Sequence, residues 1–196
     1  MNIYKLNEMT AEKKAYILKR AETDISEQMQ LAKEVSDDIR ARGDIAVLEY
    51  TSKFDRVDLT ADRMKVKPEE IEDGYKRLDA ETREAIEYAA RNIRDFHKKQ
   101  MPEEMWFTEV DKGLLVGEKT TPIVDVCLYV PRGKGSFPSV MLMLGIPAVV
   151  AGVEKIVVVT PPNEQGNVDD AILAAAKIIG ITEIYKVGGI QAVSAV

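Results

Sequence analysis

Two polar side chains stand where buried strands of this sequence are predicted to end. Tyr129 follows one apolar run and Gln191 follows another. Ligands of open parallel sheets bind outside the carboxyl ends of the strands, so we expect both residues to face the same rim. A tyrosine ring can stack on a nucleotide, and a glutamine amide can hydrogen-bond a sugar, an amide or a phosphate. Free N–H groups at the start of the helix that carries Gln191 would also favour an anionic phosphate.

A turn-rich loop, residues 131–138, follows Tyr129 directly and combines glycines with Lys134. It does not match a Walker loop, because Leu128 stands where the first glycine is needed. It does not match a dinucleotide fingerprint either, because Pro138 takes the place of the last glycine. We therefore expect a weak cofactor-contact loop rather than an autonomous phosphate cradle.

The single histidine and the single cysteine limit the chemistry that the chain can perform alone. Cys127 lies inside the first predicted strand, which favours a small buried residue over a nucleophile, since a nucleophile needs a base and an exposed position. His97 shares a predicted helix face with Ile93, which favours a packed side chain over a catalytic one. One His and one Cys cannot complete a zinc site without several carboxylates.

Three short runs rich in valine and isoleucine position these groups, at residues 123–130, 156–159 and 184–187. Such runs are typical of parallel strands buried on both faces. A helical pattern ends at Gly180, and Gly145-Ile146-Pro147 is expected to kink or break the other crossover segment. The β-α-β-α-β order predicts an α/β fold with an open, Rossmann-like parallel sheet. Its third strand would have an unpaired edge, which is a template for association.

The first 122 residues have a different character, because they hold most of the 27 Lys/Arg and 33 Asp/Glu residues. They predict solvated helices, one from about Glu22 to Arg42 and a longer one capped by Asp79. Residues 64–66 could form a short strand, and a hairpin is predicted over residues 106–116. The composition changes near Thr120-Thr121-Pro122. We therefore predict a helical region at 1–122 and the first part of a nucleotide-binding domain at 123–196.

The bulk properties exclude several classes of protein. A net charge of −6 without a basic run argues against nucleic acid as a main partner. One cysteine excludes an internal disulfide and fits a reducing compartment. We find neither a signal peptide nor an apolar stretch long enough to span a bilayer. These observations predict a cytoplasmic protein that acts on a small molecule and contacts no membrane.

A series of short motifs, in order over nearly the whole chain, resembles the N-terminal part of the histidinol dehydrogenase family. The matching motifs are Arg42-Gly43-Asp44, Phe54-Asp55, Phe96-His97, Leu128-Tyr129-Val130-Pro131, Ile146-Pro147-Ala148, Thr160-Pro161-Pro162 and Val187-Gly188-Gly189 with Gln191-Ala192. The resemblance implies a zinc-dependent, NAD-linked oxidation of histidinol to histidine through an aldehyde, in two hydride transfers, by a homodimer. It also implies that Tyr129 and Gln191 contact NAD, in agreement with the rim expected from strand order.

The zinc ligands and the proton-transfer pair that the resemblance implies lie downstream of Val196. We therefore expect a sheet cut short at its C-terminal end, and a chain that does not turn over substrate by itself. Two positions depart from the family pattern, Arg132 and Cys127, where glycine is more usual. Two alternatives stay open: a related dehydrogenase of another small alcohol, and a non-catalytic nucleotide-binding module.

Overall fold

The fold is described from a computed structural model that covers residues 4–18, 25–133 and 135–196. The elements, in chain order, are α1 Ala11–Leu18, α2 Ser26–Arg42, α3 Asp44–Asp55, α4 Ala61–Met64, α5 Pro68–Arg77, α6 Ala80–Gln100, β1 Met105–Asp111, β2 Leu114–Lys119, β3 Asp125–Tyr129, α7 Pro138–Val150, β4 Lys155–Val159, α8 Asp170–Ile179, β5 Ile184–Tyr185 and α9 Gly189–Ala195. The predicted α/β class, with helices first and a parallel sheet after them, is confirmed. None of the helices described is both long and apolar enough to cross a membrane.

Two compact units divide the chain, Met1–Glu34 and Val35–Val196. The first contains α1, whose N-terminus is capped by Thr10: its hydroxyl accepts from the Lys13 backbone N–H at 3.2 Å. The division falls inside α2, and α2 ends at Arg42 as expected. Its predicted start, Glu22, lies outside the described residues. The second unit spans both sides of residue 122, and the two-domain division at that position stays a prediction.

Strand β4 lies between β3 and β5 and pairs in parallel with both. One face of this sheet packs under α7 and α8, where Val130, Val158 and Ile184 have no exposed surface. The helices α5 and α6 complete that layer, since α5 packs on α8 and α6 packs on both α7 and α8. The other face joins a smaller core with α3 and α9, which contains Val159 and Val187.

The predicted strands differ from the observed ones at the edges of the sheet. Strand β3 is not buried on both faces as expected: Ile123 and Val124 precede it and are 66% and 64% exposed. Strand β5 is only two residues long, and its outer edge is not free as predicted. Lys65, just after α4, forms an antiparallel bridge with Tyr185, and the Val66 N–H donates to the Ile184 carbonyl at 2.9 Å. The short strand predicted at residues 64–66 is thus reduced to this bridge.

Helix α7 continues through Pro147. Of the kink or break predicted at Gly145-Ile146-Pro147, the break is therefore wrong and the kink stays a prediction. Gly145, two residues earlier, is buried where α7 crosses α8. A Cβ atom at Gly145 would lie 2.4 Å from Cδ1 of Ile179 and 2.9 Å from Cδ1 of Ile181. The close approach of these side chains therefore requires a glycine at this position.

The hairpin formed by β1 and β2 is confirmed, with Gly113 at φ 80° in its turn. Every residue of both strands is exposed, and large apolar side chains lie on each face: Phe107 and Leu115 on one, and Trp106 and Val116 on the other. Two strands alone are marginally stable in water. The hairpin thus depends on its own cross-strand contacts.

A partly buried ion pair joins α5 to the segment after β5. The Lys186 ammonium, on a residue that is 3% exposed, donates to Oε2 of Glu70 at 2.5 Å. Burial by itself would raise the pKa of Glu70, but the bonds from Lys186 and the Lys67 backbone hold that pKa below its ordinary value. Because the Lys186 side chain is 4% exposed and the Glu70 side chain is 29% exposed, the ammonium group is less hydrated than the carboxylate.

This asymmetry predicts unequal costs for removing either partner. Glu70→Gln leaves a buried ammonium without its counter-charge and should lower the unfolding free energy by about 2–3 kcal/mol. Lys186→Met removes the buried charge and leaves Glu70 partly hydrated, so the loss should stay within about 1 kcal/mol. Denaturant unfolding of both variants measures the difference. Equal losses would contradict the assignment of Lys186 as the dominant buried charge.

Candidate cofactor site at the carboxyl edge of the sheet

Three strand ends meet at the turn formed by Gly188 and Gly189. Tyr129 is the last residue of β3, and its hydroxyl accepts a hydrogen bond from the Gly189 backbone N–H at 3.0 Å. A Cβ atom at Gly188 would lie 2.4 Å from Cγ of Pro161, which follows β4. Gly189 has φ 60°, a conformation that favours glycine. The prediction that Tyr129 and the segment after β5 share one edge of the sheet is confirmed.

Gln191 lies at the same edge, but it is fully buried rather than open to a cleft. Its side-chain Nε2 donates to Oδ2 of Asp55 at 2.9 Å. Its Oε1 has no hydrogen-bond partner among the described residues. That oxygen lies against the turn, since a Cβ atom at Gly189 would be 2.8 Å away from it. An unpaired buried carbonyl of this kind costs about 1–3 kcal/mol.

Asp55, the last residue of α3, connects this edge to the helical part of the chain. Burial raises the pKa of its carboxyl group, and hydrogen bonds from the Gly188 backbone N–H and the Gln191 amide only partly offset that effect. The sequence places Asp55 within the Phe54-Asp55 motif, but nothing local assigns it to the site. Its partner Gln191 is 136 residues away in sequence, so no local pattern could have paired them.

Some of the N–H groups at the start of α9 are used within the chain, and phosphate binding by the remaining ones stays a prediction. The Gly189 N–H is already bonded to Tyr129, and the Ala192 N–H bonds to the Gly188 carbonyl. Thr160, the residue that follows β4, is also fully buried, and its hydroxyl oxygen finds no partner in the described part of the chain. Thr160 and Gln191 thus each bring a buried side-chain oxygen without a partner among the described residues to this edge.

The loop at residues 131–138 is held by an ion pair. Arg132 Nε lies 3.6 Å from Oδ2 of Asp169, the residue that precedes α8. Lys134, the cation of the weak cofactor-contact loop, lies outside the described residues. Whether this loop contacts a cofactor stays a prediction.

A separate hollow of about 670 Å³ lies over the second face of the sheet. Its lining includes Cys127, Val157 and Tyr185, whereas Tyr129 and Gln191, both described, do not line it. The prediction that Cys127 is buried is wrong, because its thiol is exposed in this hollow. Partial packing still raises the pKa of the thiol, which disfavours the nucleophilic thiolate.

His97 is half-buried on α6, with its ring edge against Phe96 at a centroid distance of 5.4 Å. The packed role predicted for His97 beside Ile93 stays a prediction. Within the part of the chain that the structure describes, no group of three or more His, Cys, Asp or Glu side chains could hold a metal ion. The described donors therefore do not fit a zinc site.

Comparison with known proteins decides the family. A sequence profile described as histidinol dehydrogenase matches residues 18–196, most of the chain. The chain belongs to the histidinol dehydrogenase family. A histidinol dehydrogenase of Synechocystis sp. is 44% identical over 194 residues, covering 99% of this chain and 45% of that protein. A histidinol dehydrogenase homolog of Rhizobium meliloti is 43% identical over 196 residues, covering 100% of this chain and 43% of the relative.

A solved structure agrees with this family assignment. The crystal structure of histidinol dehydrogenase from Elizabethkingia anophelis superposes with a TM-score of 0.82 at 38% identity, over 90% of this chain and 39% of that one. The predicted resemblance to the N-terminal part of the histidinol dehydrogenase family is thus confirmed. The chain spans less than half the length of the relatives named here.

The raised pKa of Asp55 predicts a distinctive pH dependence of stability. A carboxyl group whose pKa is raised by folding binds more protons in the folded state between the ordinary value of 3.8 and the raised value. Asp55 should therefore make the unfolding free energy fall as pH rises through that window. Unfolding free energies measured across that window, for the unaltered chain and for Asp55→Asn, isolate this contribution.

Asp79 supplies a control of opposite sign. Its carboxylate accepts the Thr82 backbone N–H at 2.8 Å as the cap of α6, which holds the pKa of Asp79 below its ordinary value. Its stabilising contribution should be present above the ordinary pKa and lost as pH falls. Each substitution should change the slope of the unfolding free energy against pH, relative to the unaltered chain, and the two changes should have opposite signs. Changes of the same sign would contradict this interpretation of Asp55.

Proposed function

We propose that this chain forms the NAD-contacting N-terminal part of an enzyme that oxidises L-histidinol to L-histidine through an aldehyde, in histidine biosynthesis. One observation supports this most directly: the chain belongs to the histidinol dehydrogenase family, and Tyr129 and Gln191 meet at the turn of Gly188 and Gly189. NAD would accept hydride in each of two steps. The chain's own residues would bind and orient the dinucleotide.

The groups at this edge fit such a ligand. The Tyr129 hydroxyl accepts from Gly189, so its own proton stays free to be donated to a ligand oxygen. The carbonyl oxygen of Gln191 has unused acceptor capacity, which suits a ribose hydroxyl or a carboxamide N–H. Because Gly189 lies against that oxygen, a ligand donor would reach it only as the turn shifts.

Zinc would have to be held elsewhere. Since the described donors do not fit a zinc site, we propose that the ligands and the proton-transfer groups belong to the part of the relatives that this chain does not cover. By the same argument the 196-residue chain would bind NAD weakly and would not turn over histidinol. The proposal includes a cytoplasmic homodimer as the working form of the complete enzyme, acting on a small-molecule substrate.

A second candidate is a related NAD-dependent dehydrogenase of another small alcohol. Several relatives, which are 38% to 43% identical to this chain, are named histidinol dehydrogenase homologs rather than histidinol dehydrogenases. This naming favours the second candidate. Arg132, paired with Asp169, stands where the family more often has glycine. The substrate-contacting residues that would separate the two candidates are outside the described site.

The NAD assignment predicts a loss of affinity when either contact is removed. Tyr129→Phe deletes the hydroxyl and Gln191→Met deletes the amide at similar size, and each should weaken NAD binding by about 0.5–1.5 kcal/mol. Isothermal calorimetry at high NAD concentration measures this. Tyr88→Phe is the matched control, because Tyr88 is 61% exposed on α6. Unchanged affinity in both site variants, with folding intact, would place the cofactor elsewhere.

The proposed division of labour makes a second prediction. After dialysis, the purified chain should contain no stoichiometric zinc and should produce no NADH from histidinol, because one His and one Cys cannot complete the site. Elemental analysis and a spectrophotometric NADH assay test this, with other amino alcohols run in parallel for the second candidate. One zinc bound per chain, or turnover above background, would contradict the proposal.

A further inference from the structure

The orientation of the Gln191 amide is set by the group that faces it. A glutamine amide has one donor end and one acceptor end, and either can point toward a neighbour. An ionised carboxylate can only accept hydrogen bonds. Because Oδ2 of Asp55 lies 2.9 Å from the amide, Nε2 of Gln191 must face Asp55. The carbonyl oxygen is then forced to the opposite side, where none of the described residues donates to it.

We propose that Asp55 is a positioning residue for the cofactor site: it fixes the Gln191 amide so that its carbonyl oxygen, not its NH2 group, is left for a ligand. The ligand would supply an uncharged donor, such as a ribose hydroxyl or a carboxamide N–H. The inference rests on the proposed NAD binding and adds a residue to it. Asp55 does this from the end of α3, without touching the ligand itself.

Asp55 contacts the turn of Gly188 and Gly189 as well as the Gln191 amide. Its carboxylate also accepts from the Gly188 backbone N–H, and the Tyr129 hydroxyl accepts from the next N–H of the same turn. The backbone N–H groups of Gly188 and Gly189 thus each donate to a side-chain acceptor, Asp55 and Tyr129 respectively. A shift of Gly189 that admits a ligand to Gln191 would break the Tyr129 bond, while Asp55 keeps hold of both Gly188 and Gln191.

A merely structural role for Asp55 would be satisfied by any residue that holds the turn. Asp55→Asn separates the two roles, because asparagine has the same shape with one acceptor and one donor. If its oxygen keeps the Gly188 N–H, its NH2 group faces Gln191. The Gln191 amide must then turn over, which places a donor where the free carbonyl oxygen was. We expect NAD binding to weaken about 3- to 10-fold with little change in melting temperature.

The double variant Asp55→Asn with Gln191→Glu restores the original polarity by exchange. One oxygen of the new carboxylate accepts from the NH2 group introduced at position 55, and the other takes the position of the free carbonyl oxygen. The total charge is the same as in the unaltered chain. We expect NAD affinity within about 2-fold of the unaltered chain. Gln191→Glu alone should bind most weakly, because it sets two carboxylates against each other.

The measurement is calorimetric titration of NAD into the unaltered chain, the two single variants and the double variant, with a melting curve for each. Asp58→Asn is the matched control, since it removes an exposed aspartate charge three residues away, and it should leave NAD affinity unchanged. The proposal is supported if Asp55→Asn loses affinity and the exchange of donor and acceptor restores it.

Three outcomes would overturn either the proposed function or the positioning role. If the unaltered chain binds no NAD at millimolar concentration, the proposed function of this site fails. If it binds NAD and Asp55→Asn binds equally well, the proposed function stands and the positioning role fails. A double variant as weak as the weaker single variant, at an unchanged melting temperature, would also overturn the positioning role.

Discussion

The parallel pairing of β4 with β3 and β5 is the constraint on which the rest of the structure depends. Parallel pairing places the carboxyl ends of all three strands at one edge, which is why Tyr129, Pro161 and Gly188 can meet there. It also gives the sheet two faces that must both be covered. Helices α7 and α8 cover one, and α3 with α9 covers part of the other. The site lies where α3 reaches the strand ends.

Ion pairs connect the charged first part of the chain to helix α8 and to the residues around β5. Lys65 pairs with Glu183, Lys177 with Glu72, Arg77 with Asp170 and Lys186 with Glu70. Most of these pairs are partly exposed, and pairs of that kind contribute about 0–1 kcal/mol each. Among these eight residues, only Lys186 is buried. The contrast in charge that separates the two parts of the sequence therefore coexists with contacts that join them. Packing of α5 on α8, and of α6 on α7 and α8, joins the two parts as well.

Local patterns predicted the elements whose signals lie within a few residues. The Asp79 cap of α6, the Gly180 end of α8 and the valine-rich run of β4 were all readable in this way. Features that depend on contacts between residues distant in sequence could not be predicted from local patterns. The exposure of Cys127 depends on which part of the second sheet face is covered, and the pairing of Lys65 with Tyr185 joins residues far apart in sequence. Tyr129 and Gln191 were reached from strand order, but the burial of Gln191 and its bond to Asp55 could be seen only in the folded chain.

The exposed hairpin has a consequence for how this protein is observed. The chain has one tryptophan, Trp106, and it lies in β1, a strand exposed along its whole length and outside both buried cores. Tryptophan fluorescence will therefore report the opening of the hairpin, which occurs once its own cross-strand contacts are lost. The sheet and its helices carry tyrosines instead, among them Tyr129 and Tyr185. An unfolding curve measured by tryptophan fluorescence would report the hairpin of β1 and β2. Circular dichroism would report the parallel sheet and the helices.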